Sequence, residues 1–310
     1  MEKLFINNLI LVTQMNNVSI IILTYNQQNF IEVALQGIFK QKINFPVELI
    51  ICDDCSPDGT DKVIKSNILK APVNIKVKYF RHTKNLGSTP NFYFALKQVT
   101  GKYLAFCEGD DYWFDDNKLQ LQYDFMESHP HYSMCFHNVI NISTDPAINN
   151  TPFSRIEDRD YSALEIYNNW LVHTTSVFMK TEVLQNNAVQ KTLISPDLLY
   201  FDTILYMASS LNGRIRGMTE SMTAYRRHEV GLSHGINYVR DLRHNQLDQI
   251  IGNYYGNKIK ESADWQIFSR SRIAFQKLLN ERKFKLAFQH LRWILRKKKN
   301  LKIYLKKKYL

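Results

Sequence analysis

Between Val18 and Asp111 the chain repeats one alternation, and that repetition limits what it can fold into. Four short strand-like segments, the apolar runs Val18 to Leu23 and Val47 to Cys52, the alternating Ile75 to Phe80, and Lys102 to Cys107, are separated by stretches with helical periodicity. The segments are too short for helices, and the β-branched residues of the first three suit a pleated strand better than a helical turn. Asn29 to Gln41 places Ile31, Ala34, Leu35, Ile38 and Phe39 on one helical face. A second helix, with Val63, Ile64 and Ile68, follows the turn residues Ser56-Pro57-Asp58-Gly59, and a third runs from Pro90 to Val99 and stops at Gly101. This β-α-β-α-β-α-β order predicts an α/β chain built on a doubly wound, Rossmann-like, mostly parallel sheet flanked by helices.

Sheets of that kind bind ligands in the crevice at the carboxyl ends of their strands. Three polar clusters fall there: Thr24-Tyr25-Asn26, Asp53-Asp54 and Asp110-Asp111. Asp110 and Asp111 are the strongest candidates for chemistry. Two adjacent carboxylates at a strand end can hold Mg²⁺ or Mn²⁺, ions that favour oxygen ligands and bridge protein to substrate phosphates. An arbitrary Asp-Asp pair is usually a solvated turn. The apolar strand before this one and Tyr112-Trp113 after it place it in the crevice instead.

Beyond Asp111 the pattern is mixed. A helix is expected over Leu119 to Met126, a strand over Tyr132 to Ile140, and an irregular link over Asn141 to Asp160. A strand over Thr174 to Met179, a helix over Leu198 to Leu211 and a short strand over Ile215 to Met218 follow, and from about Tyr238 the chain is expected to be helical to its end. There is no internal repeat.

The net charge of +11 sits at one end. Residues 281–310 hold 12 Lys and Arg against Glu281 alone, so the preceding 280 residues balance 28 against 28. The body is therefore not a general polyanion binder, and no module for reading nucleic-acid bases is recognisable. In the tail, Phe284, Phe288, Leu291 and Leu295 recur at helical spacing among Lys297–Lys299 and Lys306–Lys308, with Trp293, Tyr304 and Tyr309 as interfacial types. Peripheral binding to anionic lipid and a helix packed on its own domain both fit that pattern. Cys52 and Cys55 form a C-x-x-C with no second ligand pair, which suits reduced thiols, Cys52 ending a buried strand, better than zinc. No run reaches the ~18 apolar residues of a membrane span. Met1 to Asn17 makes a poor signal peptide, and Met15 is an alternative start that would leave residues 1–14 as extra sequence.

Four blocks carry a specific resemblance. V-S-I-I-I-L-T-Y-N at 18–26, E-L-I-I-C-D-D-C-S-P-D-G-T at 48–60, N-L-G-S-T-P-N at 85–91 and G-K-Y-L-A-F-C-E-G-D-D-Y-W at 101–113 resemble the family 2 glycosyltransferases in order and spacing. The resemblance spans about residues 16–235 and implies a GT-A fold with inverting transfer from a nucleotide-diphosphate sugar, a UDP-sugar favoured. It also implies an organisation: an extension at 1–17, a nucleotide-sugar-binding half at 18–113, an acceptor-binding half at 114–237, and a basic helical C-terminal extension at 238–310.

By position, Thr24, Tyr25 and Asn26 resemble the loop that cups the nucleotide base, with Tyr25 against it. Asp54 resembles the carboxylate that accepts from a uracil-like ring, and Asn91 the asparagine facing the nucleotide. Asp111 resembles the direct metal ligand and Asp110 the carboxylate nearer the ribose or sugar. Glu108 stands where many relatives have Asp, so Asp-x-Asp becomes Glu-x-Asp. In the second half Asp202 resembles the base that takes the acceptor's proton, with Asp197 as its rival, and His173-Thr174-Thr175-Ser176 a polar stretch near the acceptor. Tyr225-Arg226-Arg227-His228 resembles a closing segment, in which Arg227 would face the diphosphate and His228 would be a third metal ligand.

The implied acceptor is a glycan or lipid-linked hydroxyl in surface polysaccharide or lipopolysaccharide assembly, on a cytoplasmic protein or one peripheral to the inner face of the cell membrane through residues 281–310. No nucleic-acid partner is expected. A non-enzymatic nucleotide-sugar or polyanion binder is an alternative, though it has no need of Asp110, Asp111 and a base candidate together. A nucleotidyltransferase is another, but residues 23–30 lack the glycine its phosphate loop would show.

Overall fold

A computed structural model describes residues 17–143, 150–192, 200–227 and 237–309. The first half contains β1 (Val18–Thr24), α1 (Ile31–Phe39), β2 (Val47–Asp53), α2 (Thr60–Ile68), β3 (Ile75–Arg81), α3 (Ser88–Leu96) and β4 (Tyr103–Glu108). All four strands pair in parallel, in the order β3-β2-β1-β4. The period-2 alternation of a strand divides their side chains between two cores. Ile21, Ile50, Leu104 and Phe106 face α3 and the second half, whereas Ile20, Ile22, Leu49, Ile51 and Ala105 pack with Ala34, Leu35 and Ile38 of α1. Each of these large aliphatic side chains contributes roughly 1.5–3 kcal/mol by leaving water. A one-residue slip of β1 would exchange its two faces and lose both sets.

The second half adds β5 (Tyr112–Trp113), α4 (Lys118–Ser128), β6 (Tyr132–Ser143), β7 (Thr151–Pro152), α5 (Ala163–Asn169), β8 (Phe178–Lys180), α6 (Asn187–Thr192), α7 (Phe201–Asn212) and β9 (Arg214–Arg227). The sheet runs β3-β2-β1-β4-β8-β6-β9-β5, with β7 on β6. The α/β class and the largely parallel first half are as the sequence implies.

Two expected elements differ. The strand expected over Thr174 to Met179 is a 3₁₀ turn at Thr174–Ser176 followed by the short β8. Here the His173 ring accepts from the Thr175 amide, and the Ser176 hydroxyl donates to the His173 carbonyl at 2.7 Å. Such local bonds compete with the strand ladder. The short strand expected over Ile215 to Met218 is the 14-residue β9. Its middle, Thr219-Glu220-Ser221, is exposed and polar, so it lacks an apolar signal, yet β9 pairs with β6 along its length through a bulge near His137–Val139. Tyr225 to Arg227 are therefore strand, not loop.

Four helices close the chain: α8 (Tyr238–Tyr254), α9 (Asn257–Asn280), α10 (Phe284–Arg296) and α11 (Lys298–Tyr309). Leu247, Ile251, Ile259 and Ala263 join the larger core. Asp248 anchors them to the α/β body by accepting from the Tyr167 hydroxyl of α5 at 2.7 Å and pairing with Arg270 at 2.8 Å. No helix among the described residues is long and apolar enough to cross a membrane.

Candidate active site

Parallel register brings the polar clusters abreast. Thr24 lies opposite Asp53 on one side of β1, and Leu23 lies opposite Glu108 on the other. The Asp54 amide donates to the Thr24 carbonyl, and the Gly109 amide to the Leu23 carbonyl, each at 3.0 Å, so both loops leave the sheet at the end of β1. Tyr25 is 47% exposed there, an aromatic face open to a ligand. Asn26 adopts the left-handed conformation (φ 58°) that asparagine tolerates, and the Ser56 hydroxyl accepts from its amide at 3.0 Å.

Asp54 is buried and accepts from the amides of Leu86 and Gly87 at 2.7 and 2.9 Å. It thereby fixes the N-L-G-S turn, where Gly87 takes φ +89°, a conformation that favours glycine. The Asn91 amide is engaged at both ends: Nδ2 donates to the Cys52 carbonyl at 3.1 Å and Oδ1 meets His82 Nε2 at 2.9 Å. Asp53, part of the strand-end cluster but given no role of its own by the sequence, braces the neighbouring loop. It accepts from the Ser56 amide and hydroxyl, and from Tyr79, and pairs with Arg81 at 3.3 Å.

The Glu108-Gly109-Asp110-Asp111 turn sits against β1. A Cβ on Gly109 would lie 2.2 Å from Gln27 Oε1 and 2.9 Å from Thr24 Oγ1, so a larger residue in the turn would push the end of the Gln27 side chain aside. Those same two oxygens are buried and make no hydrogen bond among the described residues. Oxygens left in that state point to a polar ligand or water at this place. Gln27 is a residue that sequence reasoning missed.

The electrostatics of the turn are lopsided toward negative charge. Burial and the neighbouring Asp110 push the Asp111 carboxyl well above the usual range, offset in part by the Arg226 amide, which donates to Asp111 Oδ1 at 3.0 Å. Burial, then the charges of Asp110 and Asp202, push Glu108 up to about 8. His173 Nδ1 lies 3.9 Å from Asp111 Oδ2, but burial lowers its pKa to about 4, so at neutral pH the ring brings no positive charge. The Arg226 guanidinium is a nearby cation: it donates to the Asp110 carbonyl at 3.0 Å and lies over the Tyr112 ring at 4.6 Å.

Carboxylates that repel one another in this way suit a divalent cation. Among the described residues no three His, Cys, Asp or Glu side chains form a complete metal-holding set. Asp110 and Asp111 nevertheless fit Mg²⁺ or Mn²⁺, which commonly take one or two carboxylates and complete their shell with water and substrate phosphate. His228, the expected third ligand, lies outside the described residues, as does Asp197.

Asp202 faces this turn from the start of α7. Its Oδ2 accepts from the hydroxyls of Thr174 (2.9 Å) and Tyr206 (3.2 Å), and its Oδ1 from the Thr203 amide (2.9 Å). Burial raises its pKa, and those bonds hold the rise in check. The 3₁₀ turn replacing the expected strand is what brings Thr174 to Asp202. It also sets Thr175 as acceptor for Trp113 Nε1 at 3.2 Å, which joins the two halves.

The Y-R-R segment joins the site through an arginine that the sequence reading did not favour. Arg226 reaches Asp110 and Asp111, while its neighbour Arg227 is exposed at the end of β9. Adjacent strand residues point to opposite faces, and the register of β9 on β5 (Tyr112 opposite Ala224) decides which arginine faces the turn. Cys52 and Cys55 are free thiols, and burial in β2 pushes Cys52 up to about 12, so the C-x-x-C is part of a strand end.

A parallel sheet whose strand-end loops converge on an acidic turn, extended by a mixed second half, is the GT-A glycosyltransferase architecture. The first 349 residues of TarS from S. aureus, solved in complex with UDP, superpose with a TM-score of 0.61 at 20% identity, covering 82% of this chain and 70% of that one. The mannosyltransferase PcManGT of Pyrobaculum calidifontis, solved with GDP-Man and Mn²⁺, gives 0.57 at 15% identity over 96% of this chain and 88% of that one. The sequence model described as Glycosyl transferase family 2 matches residues 19–187, and the chain belongs to that family. An uncharacterised protein of Mycobacterium tuberculosis is 35% identical over 218 residues, 70% of this chain; the match spans 60% of that relative's length.

Proposed function

We propose that the chain transfers a sugar, with inversion, from a nucleotide-diphosphate sugar to a hydroxyl of a glycan or lipid-linked acceptor in surface polysaccharide assembly, at the cytoplasmic side of the membrane. The observation that carries this reading is the convergence of carboxylates from both halves: Asp110 and Asp111 at the end of β4, and Asp202 at the start of α7, with Glu108 feeling both charges. The two groups suit the two tasks of a single displacement. One faces the departing diphosphate and the other activates the acceptor.

On the donor side, Tyr25 offers its exposed ring to the base, and Thr24 and Asn26 shape the loop around it. Asp54 holds the 85–88 turn beside it, and Asn91 ties that turn to β2. A UDP-sugar is favoured because Asp54 matches the family's uracil-facing carboxylate, and TarS is solved with UDP. A divalent cation on Asp110 and Asp111, of the kind bound with GDP-Man in PcManGT, would neutralise charge growing on the leaving diphosphate. Arg226 adds positive charge beside Asp110, and Arg227, at the exposed end of β9, is the arginine that the family resemblance puts toward the diphosphate. On the acceptor side Asp202 takes the hydroxyl proton as the oxygen attacks the anomeric carbon. Thr174 and Tyr206 hold the Asp202 carboxylate in one orientation.

A panel of nucleotide sugars assayed for nucleotide release with Mn²⁺ tests the reading, and a UDP-sugar is expected to turn over. Asp202→Asn keeps the shape and removes the base, so turnover should fall roughly 10²–10⁴-fold with donor affinity nearly unchanged. Donor binding without release of any nucleotide would favour the non-enzymatic binder. Full turnover in Asp202→Asn would move the base elsewhere, to Asp197 first.

A further inference from the structure

We propose that the outward face of α10 seats this protein on an anionic lipid surface, with Phe284 and Phe288 entering the boundary between headgroups and acyl chains. The helix has three faces rather than two. Ala287, His290 and Ile294 are buried, Ala287 against Ala274 and Leu278 of α9, and the His290 ring bonds the Tyr238 carbonyl of α8 at 3.0 Å. That face satisfies what a surface helix ordinarily needs. A second apolar stripe points away from the protein: Phe284 is 64% exposed, Phe288 54% and Leu295 49%, with Leu291 half-buried between them. At about 100° per residue these four positions fall within an arc of roughly 60°. The third face is basic, with Lys285, Arg292 and Arg296 bordering the stripe and the Arg292 guanidinium lying over the Phe288 ring at 4.9 Å.

Charge selects the occupant. Residues 281–310 carry twelve Lys and Arg against one acidic residue. The fold uses a few of these: Lys297 is buried between Gln249 and Asp264, Lys283 pairs with Glu281, and Lys299 with Glu261. Lys285, Arg292, Arg296, Lys298, Lys302 and Lys306 make no ion pair among the described residues. A second copy of the chain docked on this stripe would bring two such cationic sets together. An anionic bilayer accepts the aromatic side chains and the cations at once, and each cation near it adds attraction that salt screens. The inference stands on surface chemistry alone and does not depend on the proposed reaction.

Flotation of the full chain with vesicles of phosphatidylcholine, with and without phosphatidylglycerol, tests it. Binding should be at least about tenfold stronger to the anionic vesicles and should weaken in high salt. Phe284→Ser with Phe288→Ser, both exposed, should reduce it about tenfold or more while leaving the circular-dichroism spectrum unchanged. Lys285→Glu with Arg292→Glu should do the same without touching the apolar stripe. Equal binding to neutral vesicles, or unchanged binding by both double variants, would overturn the proposal. So would a Phe284/Phe288 variant that leaves flotation intact but converts a dimer to a monomer in sedimentation, since the stripe would then be a self-association surface.

Discussion

The two halves of the α/β body reach the same crevice by different routes. In the first, β1, β2 and β4 run in parallel register and end together, so each contributes the residues that follow it in sequence: Tyr25 after β1, Asp54 after β2, Asp110 and Asp111 after β4. In the second, functional groups arrive through tertiary contacts. Arg226 reaches the acidic turn because β9 is long enough to pass β5, and Thr174 reaches Asp202 because a 3₁₀ turn replaces a strand. The first half is thus a motif that can be read along the chain, whereas the second is an assembly in which residues far apart must agree.

If the halves divide donor from acceptor, substitutions in each should fail differently. The largest effect is expected from Asp111→Asn, which removes the proposed cation ligand at the end of β4. Transfer should fall by roughly 10³-fold or more, as loss of several kcal/mol of charge stabilisation implies, and chelator should do the same to the unmodified protein. Activity that survives in chelator would break the metal reading while leaving the fold intact.

A smaller loss is expected from Arg226→Ala. The backbone bond to Asp111 survives the substitution, but the guanidinium beside Asp110 does not. Donor affinity should weaken roughly tenfold, in line with a charge-assisted contact of about 1.5 kcal/mol. Arg227→Ala, measured alongside, sharpens the comparison: the larger loss should fall on Arg226, and the reverse order would show that the exposed arginine meets the diphosphate.

The smallest change is expected on the acceptor side, in the pH profile. Burial raises the pKa of Asp202, and the Tyr206 and Thr174 hydroxyls, which stabilise its ionised form, lower it. A base must be ionised, so activity should fall as pH falls through this raised pKa. Tyr206→Phe removes one stabilising bond, raises the pKa further and should move the acidic limb of kcat to higher pH with donor affinity unchanged. An unmoved limb would mean that another group sets it.

Legibility followed the same division. The parallel strands and their terminal clusters could be read because apolar runs of the right length end in residues that cannot stay buried. Asn91 was singled out too, although its amide braces the loop from both ends, a use that depends on where His82 and the Cys52 carbonyl lie. The length of β9 could not be read, because Thr219-Glu220-Ser221 is polar and exposed and is held by its partner strand rather than by its own pattern.

The sequence by itself determined the α/β class, the succession of the first four strands and the acidic turn, since each is encoded by neighbouring residues through periodicity and turn chemistry; the candidate base came only from the family resemblance. Tertiary structure alone decided which arginine faces the acidic turn, that Gln27 and Thr24 present unpaired oxygens to it, that Thr174 holds Asp202, and which stripe of α10 is left exposed. Those outcomes depend on strand register and helix packing. Both are set by the burial of many residues at once, and no local window of sequence contains them.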